Sequence, residues 1–427
     1  QSALVSEKVI TLTKNDGILP VNDRNIKIAV IGPTGNSPLL FNGTYTFSDR
    51  YESEMMISLG KRPTMEGVNV TVNHAQDKKD LTQAEAKISS QTDDLIRREH
   101  GGVKTVYEAL KEIYPNTEYA KGCDISSEGE RGFKDAVETA RKANIVVLTV
   151  GGKNGWNYTC TSGEGIDSQN ITLPGKQAAL IQRVFSVNKR MIIVHTDNKP
   201  LVEPWVYDHV PAIIEGWLPG IYGGNAIALV IAGIINPGGK LPVDVPRTVG
   251  QQPVYYYQHR GCRSEWTVKM DKLITSGGNA SQLPFGYGLS YTTFEYSNGR
   301  LSTETGQDGV PVISIHISAT NTGTLKGDEV VQVYGIDEIA TIVRPQKELI
   351  GFKRVTLLPG EIRNVCFMFR LDQMAFINSQ NQWVIEKGVF SFFIGRGAND
   401  KVFSTEYFQE QTLVIDHTKR GFFANAV

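Results

Sequence analysis

The amino-acid sequence predicts an α/β domain followed by an all-β sandwich. Two observations support this fold class. Apolar strands alternate with amphipathic helices between residues 26 and 245, and short strands with strict apolar–polar alternation follow residue 290. Repeated strand–helix–strand units form a mainly parallel sheet with both faces covered. Short alternating strands separated by turns are typical of a β-sandwich. A chain of 427 residues is also long enough for two or three domains.

The elements of the α/β domain follow one another in a regular order. The apolar run IKIAVIGP at 26–33 predicts a buried strand. The polar stretch from there to about residue 100 is typical of long loops, and VKTVYEALKEI at 103–113 has the spacing of an amphipathic helix. Further along, the pattern predicts helices at 133–143, 176–187 and 223–236, and strands at 144–152, 190–196 and 212–220.

The second domain is predicted from period-two patterning. In VISIHISAT at 312–320, isoleucines alternate with polar residues, as expected of a half-buried strand. Further strand patterns occur at 328–336, 355–371 and 382–395, and they are separated by turn sequences such as NTGTLKG and LPGE. A sandwich of roughly immunoglobulin size, about 100 residues, is therefore expected.

Charge and hydropathy exclude two classes of partner. Lys and Arg number 44 against 45 Asp and Glu, with no basic stripe, so we expect no nucleic-acid partner. No apolar run is long enough to span a bilayer, so we expect no membrane span. The first residues, QSALVSEKVITLTKNDG, lack the basic start and apolar core of a signal peptide.

Cysteines and glycosylation sequons bear on the compartment. None of the four cysteines is in CxxC spacing, so no zinc site is predicted. The chain also has no Walker loop or dinucleotide fingerprint, so no cofactor is expected. The cysteines could be buried free thiols or pair in any of three ways. Five sequons favour a secreted or extracellular glycoprotein, with a lysosomal or vacuolar one as the variant. Their acceptor residues are Asn42, Asn69, Asn157, Asn170 and Asn279.

The loop at 153–174 carries the candidate catalytic residue. It follows the predicted strand 144–152, and ligands of α/β sheets bind at the carboxyl ends of the strands. Glu164 lies there between Gly163 and Gly165, where a flexible frame would let a general acid/base reach a substrate. The alternative is a solvated surface glutamate in a polar loop.

Other residues near that edge have two interpretations each. Trp156 and Tyr158 could stack on a sugar or simply anchor the loop. The helix start at Gly223, Gly224 and Asn225 could hold an anion or a sugar hydroxyl, or it could serve close packing. His195 ends a strand, and a position in the core or at the rim is favoured over a catalytic one.

Read together, the motifs resemble the C-terminal half of family 3 glycoside hydrolases, the β-glucosidase and β-xylosidase group. SGEGIDSQNITLPGKQ is similar to the family's acid/base loop, and PGIYGGNAIALVIAGIINPGGKLPVDVP to its PG-x-x-GG signature. LPFGYGLSYTTFEYS is close to the family consensus that leads into a fibronectin type III-like domain. The ordered set is specific and runs from the start to about residue 408.

The resemblance implies roles for particular residues. Glu164 matches the catalytic acid/base, and Asp167 matches the aspartate of the same motif and is expected to bind substrate. Ser168 stands where an arginine usually follows, so sugar or loop contacts there are expected to differ. Trp156, together with Tyr45 and Asp49 of the irregular 35–60 segment, is expected to contact the aglycone.

The resemblance also implies a missing part. The family's nucleophile is an aspartate on an N-terminal (β/α)8 barrel, and neither the barrel nor its SDW-like motif occurs in this chain. We therefore expect one chain of a retaining, exo-acting β-glucosidase, with a separate barrel chain as partner and a β-glucoside or oligosaccharide as substrate. The expected boundaries are 1–25 linker from the barrel, 26–245 α/β domain, 246–290 inter-domain linker, 291–408 fibronectin type III-like domain and 409–427 tail.

Three alternatives remain open at this point. Within the enzymes, a β-xylosidase or an exo-β-glucanase would share these motifs, because the pocket that selects the sugar lies mostly on the barrel. Outside them, the chain could be a non-catalytic carbohydrate-binding or structural module, since fold does not determine function. An inverted domain order, with the barrel after residue 427, is disfavoured by the KVITLTKNDG join, which resembles the usual barrel exit.

Overall fold

The computed structural model describes residues 1–60, 75–166, 168–260 and 281–427, without the side chains of 75–79. The chain divides into two compact units, Gln1–Gly239 and Lys240–Val427. The first is α/β and the second all-β, so the predicted fold class is confirmed.

A six-stranded sheet forms the centre of the first unit, in the order β1-β6-β5-β4-β2-β3. Strands β2 to β6 are parallel, and β1 pairs antiparallel with β6 at one edge. Every residue of β4 and β5 is buried, as expected of strands covered on both faces. The strands are β1 (Thr11–Asn15), β2 (Ile28–Ile31), β3 (Glu118–Ala120), β4 (Ile145–Gly151), β5 (Met191–Thr196) and β6 (Ala212–Glu215).

Eight α-helices are assigned within the described part of the first unit. They are α1 (Ser2–Val9), α2 (Phe47–Ser58), α3 (Ala75–Glu99), α4 (Val106–Ile113), α5 (Phe133–Arg141), α6 (Gln177–Phe185), α7 (Pro204–His209) and α8 (Gly223–Ile231). Helix α4 begins with a capping box, in which Thr105 and Glu108 each bond the other's backbone N–H. Helix α8 is apolar around most of its circumference and buried to match.

Two expectations for the N-terminal third are wrong. Residues 1–25 do not form a linker throughout, because they contain α1 and β1, and Thr11 pairs with Glu215 on β6. The polar stretch before residue 100 is not all loop, because it contains α2 and α3. The strand predicted at 212–220 also ends early, at Glu215.

The second unit is a sandwich of two four-stranded sheets, with strand orders β10-β9-β14-β15 and β17-β11-β8-β7. Their apolar side chains form one core, which includes Ile315, Val333, Phe367 and Phe392. The strands are β7 (Phe294–Thr305), β8 (Pro311–Asn321), β9 (Gly327–Asp337), β10 (Glu348–Leu357), β11 (Ile362–Arg370), β12 (Phe376–Ile377), β13 (Trp383–Ile385), β14 (Gly388–Gly397), β15 (Asp400–Gln409), β16 (Leu413–Val414) and β17 (Asn425–Ala426).

The segments on either side of the sandwich take part in the second unit. Where the structure describes 246–290, Gln258 and Gln346 bond through their backbones, and so do Val245 and Leu283. The tail at 409–427 adds β16 to β13 and β17 to β11. Over the described ranges, no helix is both long and apolar enough to cross a membrane.

Candidate active site

The start of the loop after β4 is held in place by hydrogen bonds to Gly151, the last residue of the strand. The side-chain amide of Gln177, the first residue of α6, bonds both backbone groups of Gly151. Its Oε1 accepts from the Gly151 N–H at 2.9 Å, and its Nε2 donates to the Gly151 carbonyl at 2.8 Å. Both partners are buried, so these bonds define where the loop begins.

The loop then folds back on itself before it reaches Glu164. The N–H of Thr161 donates to the carbonyl of Lys153 at 2.8 Å, and that of Gly155 to the carbonyl of Ser162 at 3.1 Å. Gly163 has φ +144°, and a Cβ there would lie 2.1 Å from the Gly155 carbonyl oxygen. Only glycine fits this crossing, which places Glu164 immediately after a closed turn.

Glu164 is exposed, and the hydroxyl of Tyr45 donates a hydrogen bond to its Oε2. This bond, with the nearby carboxylate charge, raises the pKa of Tyr45 above its ordinary value. The Tyr45 ring stands edge-on to Trp156, with 5.0 Å between centroids. Tyr45 also has φ +66°, an unfavourable conformation for a non-glycine residue that marks functional sites. The structure therefore joins Glu164, Tyr45 and Trp156 into one group.

Asp49 lies beneath this group and is not available for an aglycone contact. Its side chain is 3% exposed, and its Oδ2 is buried without a hydrogen-bond partner among the described residues. Burial, helped by the charge of Glu52, raises the pKa of Asp49 to about 6. The expectation of direct substrate contact is thus corrected, because the Asp49 side chain is buried.

The remaining loop residues are less informative. Tyr158 is half-buried in the loop. Asp167 lies outside the described residues.

The raised pKa of Asp49 gives a prediction for stability against pH. The folded pKa of about 6 exceeds the ordinary value of 3.8, so the native state holds the proton more tightly. Stability from this group is present at low pH and is lost as pH rises through that window. We expect Asp49→Asn to reduce the fall in unfolding free energy between pH 4 and pH 7, as measured by urea denaturation. An unchanged difference between variant and wild type across this range would contradict the assignment.

Two predicted glycan acceptors are buried in the fold. Asn157 is fully buried, and its Nδ2 donates to Glu52 Oε2 at 2.8 Å. Asn42 is also buried, and its Nδ2 donates to the Pro38 carbonyl at 3.2 Å. A glycan on either nitrogen would require the fold to open, so both expectations are wrong for the folded chain. Asn170 is exposed and stays a prediction, whereas Asn69 and Asn279 lie outside the described residues.

The other candidates of the sequence serve packing. A Cβ on Gly224 would lie 2.2 Å from the Lys104 carbonyl oxygen, and Asn225 bonds the backbone of the same neighbouring segment. His195 is buried, with its Nδ1 2.7 Å from Glu215 Oε1. Cys123, Cys160 and Cys366 are free thiols, and no set of three His, Cys, Asp or Glu in the described part of the chain is arranged to hold a metal ion.

Sequence reasoning missed a buried charge cluster beside the loop. Lys153 Nζ lies 2.9 Å from Glu52 Oε1 on α2 and 2.6 Å from Glu85 Oε1 on α3, and each of these side chains is at most 6% exposed. The only signal in the sequence is a lysine that directly follows an apolar strand. Nothing in the pattern marks Glu52 or Glu85, because both lie in segments that were not expected to be helical.

Comparison with known proteins defines the family. Residues 10–291 match the glycosyl hydrolase family 3 C-terminal domain, and residues 329–398 match the fibronectin type III-like domain. The chain therefore belongs to glycosyl hydrolase family 3, of which it contains the C-terminal part, and the resemblance seen in the sequence is confirmed.

Individual relatives agree with this assignment. A β-xylosidase of Formosa agariphila is 34% identical over 92% of this chain and 47% of its own length. A periplasmic β-glucosidase of Salmonella typhimurium is 39% identical over 61% of this chain and 34% of its own length. The crystal structure of a Listeria innocua β-glucosidase in complex with glucose superposes with a TM-score of 0.72 at 25% identity, covering 96% of this chain and 49% of that one. The chain spans about half the length of these proteins, or less.

Proposed function

We propose that this chain supplies the general acid/base of a retaining, exo-acting β-glucosidase that removes terminal β-D-glucosyl residues. The observation that carries the proposal is the geometry of Glu164. An exposed carboxyl group lies on an anchored loop after β4, with one oxygen bonded to Tyr45. Because Glu164 is exposed, it can contact the glycosidic oxygen of a bound substrate, and the bond from Tyr45 defines the orientation of its carboxyl group.

In the first step, a carboxylate nucleophile attacks the anomeric carbon and the glycosidic C–O bond breaks. Protonated Glu164 gives its proton to the departing oxygen, so the leaving group departs as a neutral alcohol. The products of this step are a covalent glycosyl-enzyme and an ionised Glu164. The Tyr45 hydroxyl donates to the carboxylate and so supports the charge formed at this point.

In the second step, the Glu164 carboxylate removes a proton from water, and the water oxygen attacks the anomeric carbon. The bond between sugar and nucleophile breaks, which releases glucose with retained configuration and restores protonated Glu164. We assign the aglycone contact to Trp156 and Tyr45, and their edge-to-face ring contact supports this assignment.

We propose that the nucleophile comes from outside this chain's two units. Retaining enzymes hold their two carboxyl groups about 5 Å apart. We propose that an aspartate on a barrel domain provides the second group, and that the barrel is a separate partner chain. The relatives support a further domain, because this chain covers only 47% of the Formosa agariphila β-xylosidase and 49% of the Listeria innocua structure.

The test is native gel filtration and intact mass of the source protein, with a β-glucoside assay on the same fraction. We expect a barrel-sized second chain to co-elute with this one in the active fraction. An active single polypeptide of about twice this mass would contradict the two-chain arrangement alone. Elution of this chain by itself, inactive but able to bind glycans, would favour the carbohydrate-binding module.

A second candidate within the same chemistry is β-xylosidase activity. It is favoured by the β-xylosidase of Formosa agariphila, whose similarity extends over 92% of this chain. The ratio of kcat/KM for phenyl β-glucoside to that for phenyl β-xyloside separates the two. Secretion is part of the proposal, supported by the periplasmic relative and by the exposed sequon at Asn170.

A further inference from the structure

We propose that Lys153 is a positioning residue for the acid/base, because its buried cluster with Glu52 and Glu85 holds both Glu164 and Tyr45 in place. The inference rests on the proposed role of Glu164 and assigns a function to charges that touch no substrate. We call Lys153, Glu52 and Glu85 the clamp.

The clamp includes one residue of the acid/base loop, Lys153, and forms hydrogen bonds with two others. Lys153 belongs to the loop itself, two residues beyond the end of β4. Glu52 accepts from Asn157 Nδ2 at 2.8 Å, and Glu85 accepts from the Thr159 N–H at 2.9 Å and from its hydroxyl. Glu52 binds Lys153 with Oε1 and Asn157 with Oε2. Glu85 binds both Lys153 and the Thr159 hydroxyl with Oε1 and the Thr159 N–H with Oε2. Lys153 is thus bonded to both α2 and α3, Asn157 to α2 and Thr159 to α3.

The contacts of the clamp are directional and buried. Burial favours the neutral form of Lys153, yet the charges of Glu52 and Glu85 outweigh it and raise the pKa of Lys153 above its ordinary value. A buried ion cluster adds little net stability over apolar residues of the same volume, because desolvation of the ions offsets their attraction. In some proteins a buried polar cluster fixes the geometry of the segments that carry it, and this is the role we assign to the clamp.

The clamp reaches Glu164 and its partner from two directions. From the loop side, the Gly155–Ser162 backbone bond leads directly to Gly163 and Glu164. From the helix side, Glu52 belongs to α2, whose N-cap Thr46 immediately follows Tyr45. The distance between the Tyr45 hydroxyl and the Glu164 carboxylate therefore depends on a cluster that neither residue touches.

The test compares Lys153→Met with Lys240→Met in the complete enzyme, meaning this chain together with its barrel domain. Lys240 is a matched control, because it is a largely buried lysine of the second unit, with its Nζ 3.8 Å from Glu329 Oε2 and 2.7 Å from the Gly288 carbonyl oxygen. For each variant, kcat/KM is measured with phenyl β-glucoside, a poor leaving group, and with dinitrophenyl β-glucoside, a good one.

A misplaced acid harms only the substrate that needs its proton. We expect Lys153→Met to lower kcat/KM for the phenyl glucoside by at least about tenfold more than for the dinitrophenyl glucoside. Lys240→Met should change both substrates by the same factor. If Lys153→Met does not fold, Thr159→Val removes one bond of the clamp while keeping its charges, and it should show a smaller loss with the same selectivity.

Suppose that Glu164→Ala lowers kcat/KM mainly for the phenyl glucoside. Equal falls in kcat/KM on both substrates for Lys153→Met, or for Thr159→Val in its place, would then overturn the inference. The clamp would then be a structural ion cluster alone. If Glu164→Ala itself shows no selectivity, the proposed function fails first, and the two failures are distinguished by that variant.

Discussion

Replacing Glu164 by alanine in the complete enzyme is expected to lower kcat/KM for phenyl β-glucoside by about 10²- to 10⁴-fold. The same variant should leave kcat/KM for dinitrophenyl β-glucoside nearly unchanged. kcat/KM reports the step in which the glycosidic bond breaks. The phenyl leaving group needs the proton of Glu164 in that step, whereas the dinitrophenolate leaves without one. With the dinitrophenyl glucoside, kcat should still fall, because hydrolysis of the glycosyl-enzyme lacks its general base.

Glu138→Ala is the matched control for this prediction. Glu138 is an exposed glutamate on α5, in the same unit as Glu164. It should leave both substrates unaffected. A loss of equal size on the two substrates for Glu164→Ala would indicate general damage to the site and would count against an acid role.

Replacing Gly163 by alanine is expected to have the second large effect. The new Cβ would meet the Gly155 carbonyl oxygen at 2.1 Å, so the closed turn before Glu164 has to open. The residue also has φ +144°, which L-residues rarely adopt. We expect the unfolding free energy to fall by about 1–3 kcal/mol and kcat/KM for phenyl β-glucoside to fall selectively, because Glu164 is the next residue.

Gly309→Ala separates conformational strain from the clash. Gly309 has φ +79°, and nothing lies within 4 Å of a Cβ placed there. This control should lose some stability and no activity. A Gly163→Ala variant with wild-type selectivity between the two glucosides would show that the turn does not position Glu164.

The elements that sequence patterns predicted well are those whose pattern is local. Strands β4 and β5 are mostly apolar runs, and the structure buries all their residues. In β8 the alternation of Ile313, Ile315 and Ile317 with polar neighbours predicts the buried face that is found. Such patterns indicate directly which residues are buried, because the apolar residues of each element have to pack against a core.

The elements that were missed depend on distant partners. Helix α3 is polar overall, and its buried face includes Glu85 and Thr92 beside Ile88 and Ile96. Glu85 is buried because Lys153 neutralises it from another part of the chain, so composition alone suggests a solvated segment. Strand β1 is likewise stabilised by pairing with β6, about 200 residues later in the chain.

In the candidate site, too, local features were predicted and contacts with distant residues were missed. The family motif indicates Glu164, and the strand before it predicts the edge of the sheet where it lies. The bond from Tyr45 crosses 119 residues of sequence, and the two clamp carboxylates come from helices that the sequence did not reveal. An aglycone contact was expected of Asp49, whereas the structure buries its side chain to 3% exposure.

Azide rescue of Glu164→Ala tests the central claim most directly. Azide is a nucleophile that needs no general base, so it can attack the anomeric carbon of the glycosyl-enzyme and displace the nucleophile carboxylate. With dinitrophenyl β-glucoside as substrate, we expect azide to raise kcat of the variant and to form β-glucosyl azide, identified by NMR, with none from the wild-type enzyme. No rate increase and no azide product, or a product of the α configuration, would contradict an acid/base role for Glu164 in a retaining mechanism.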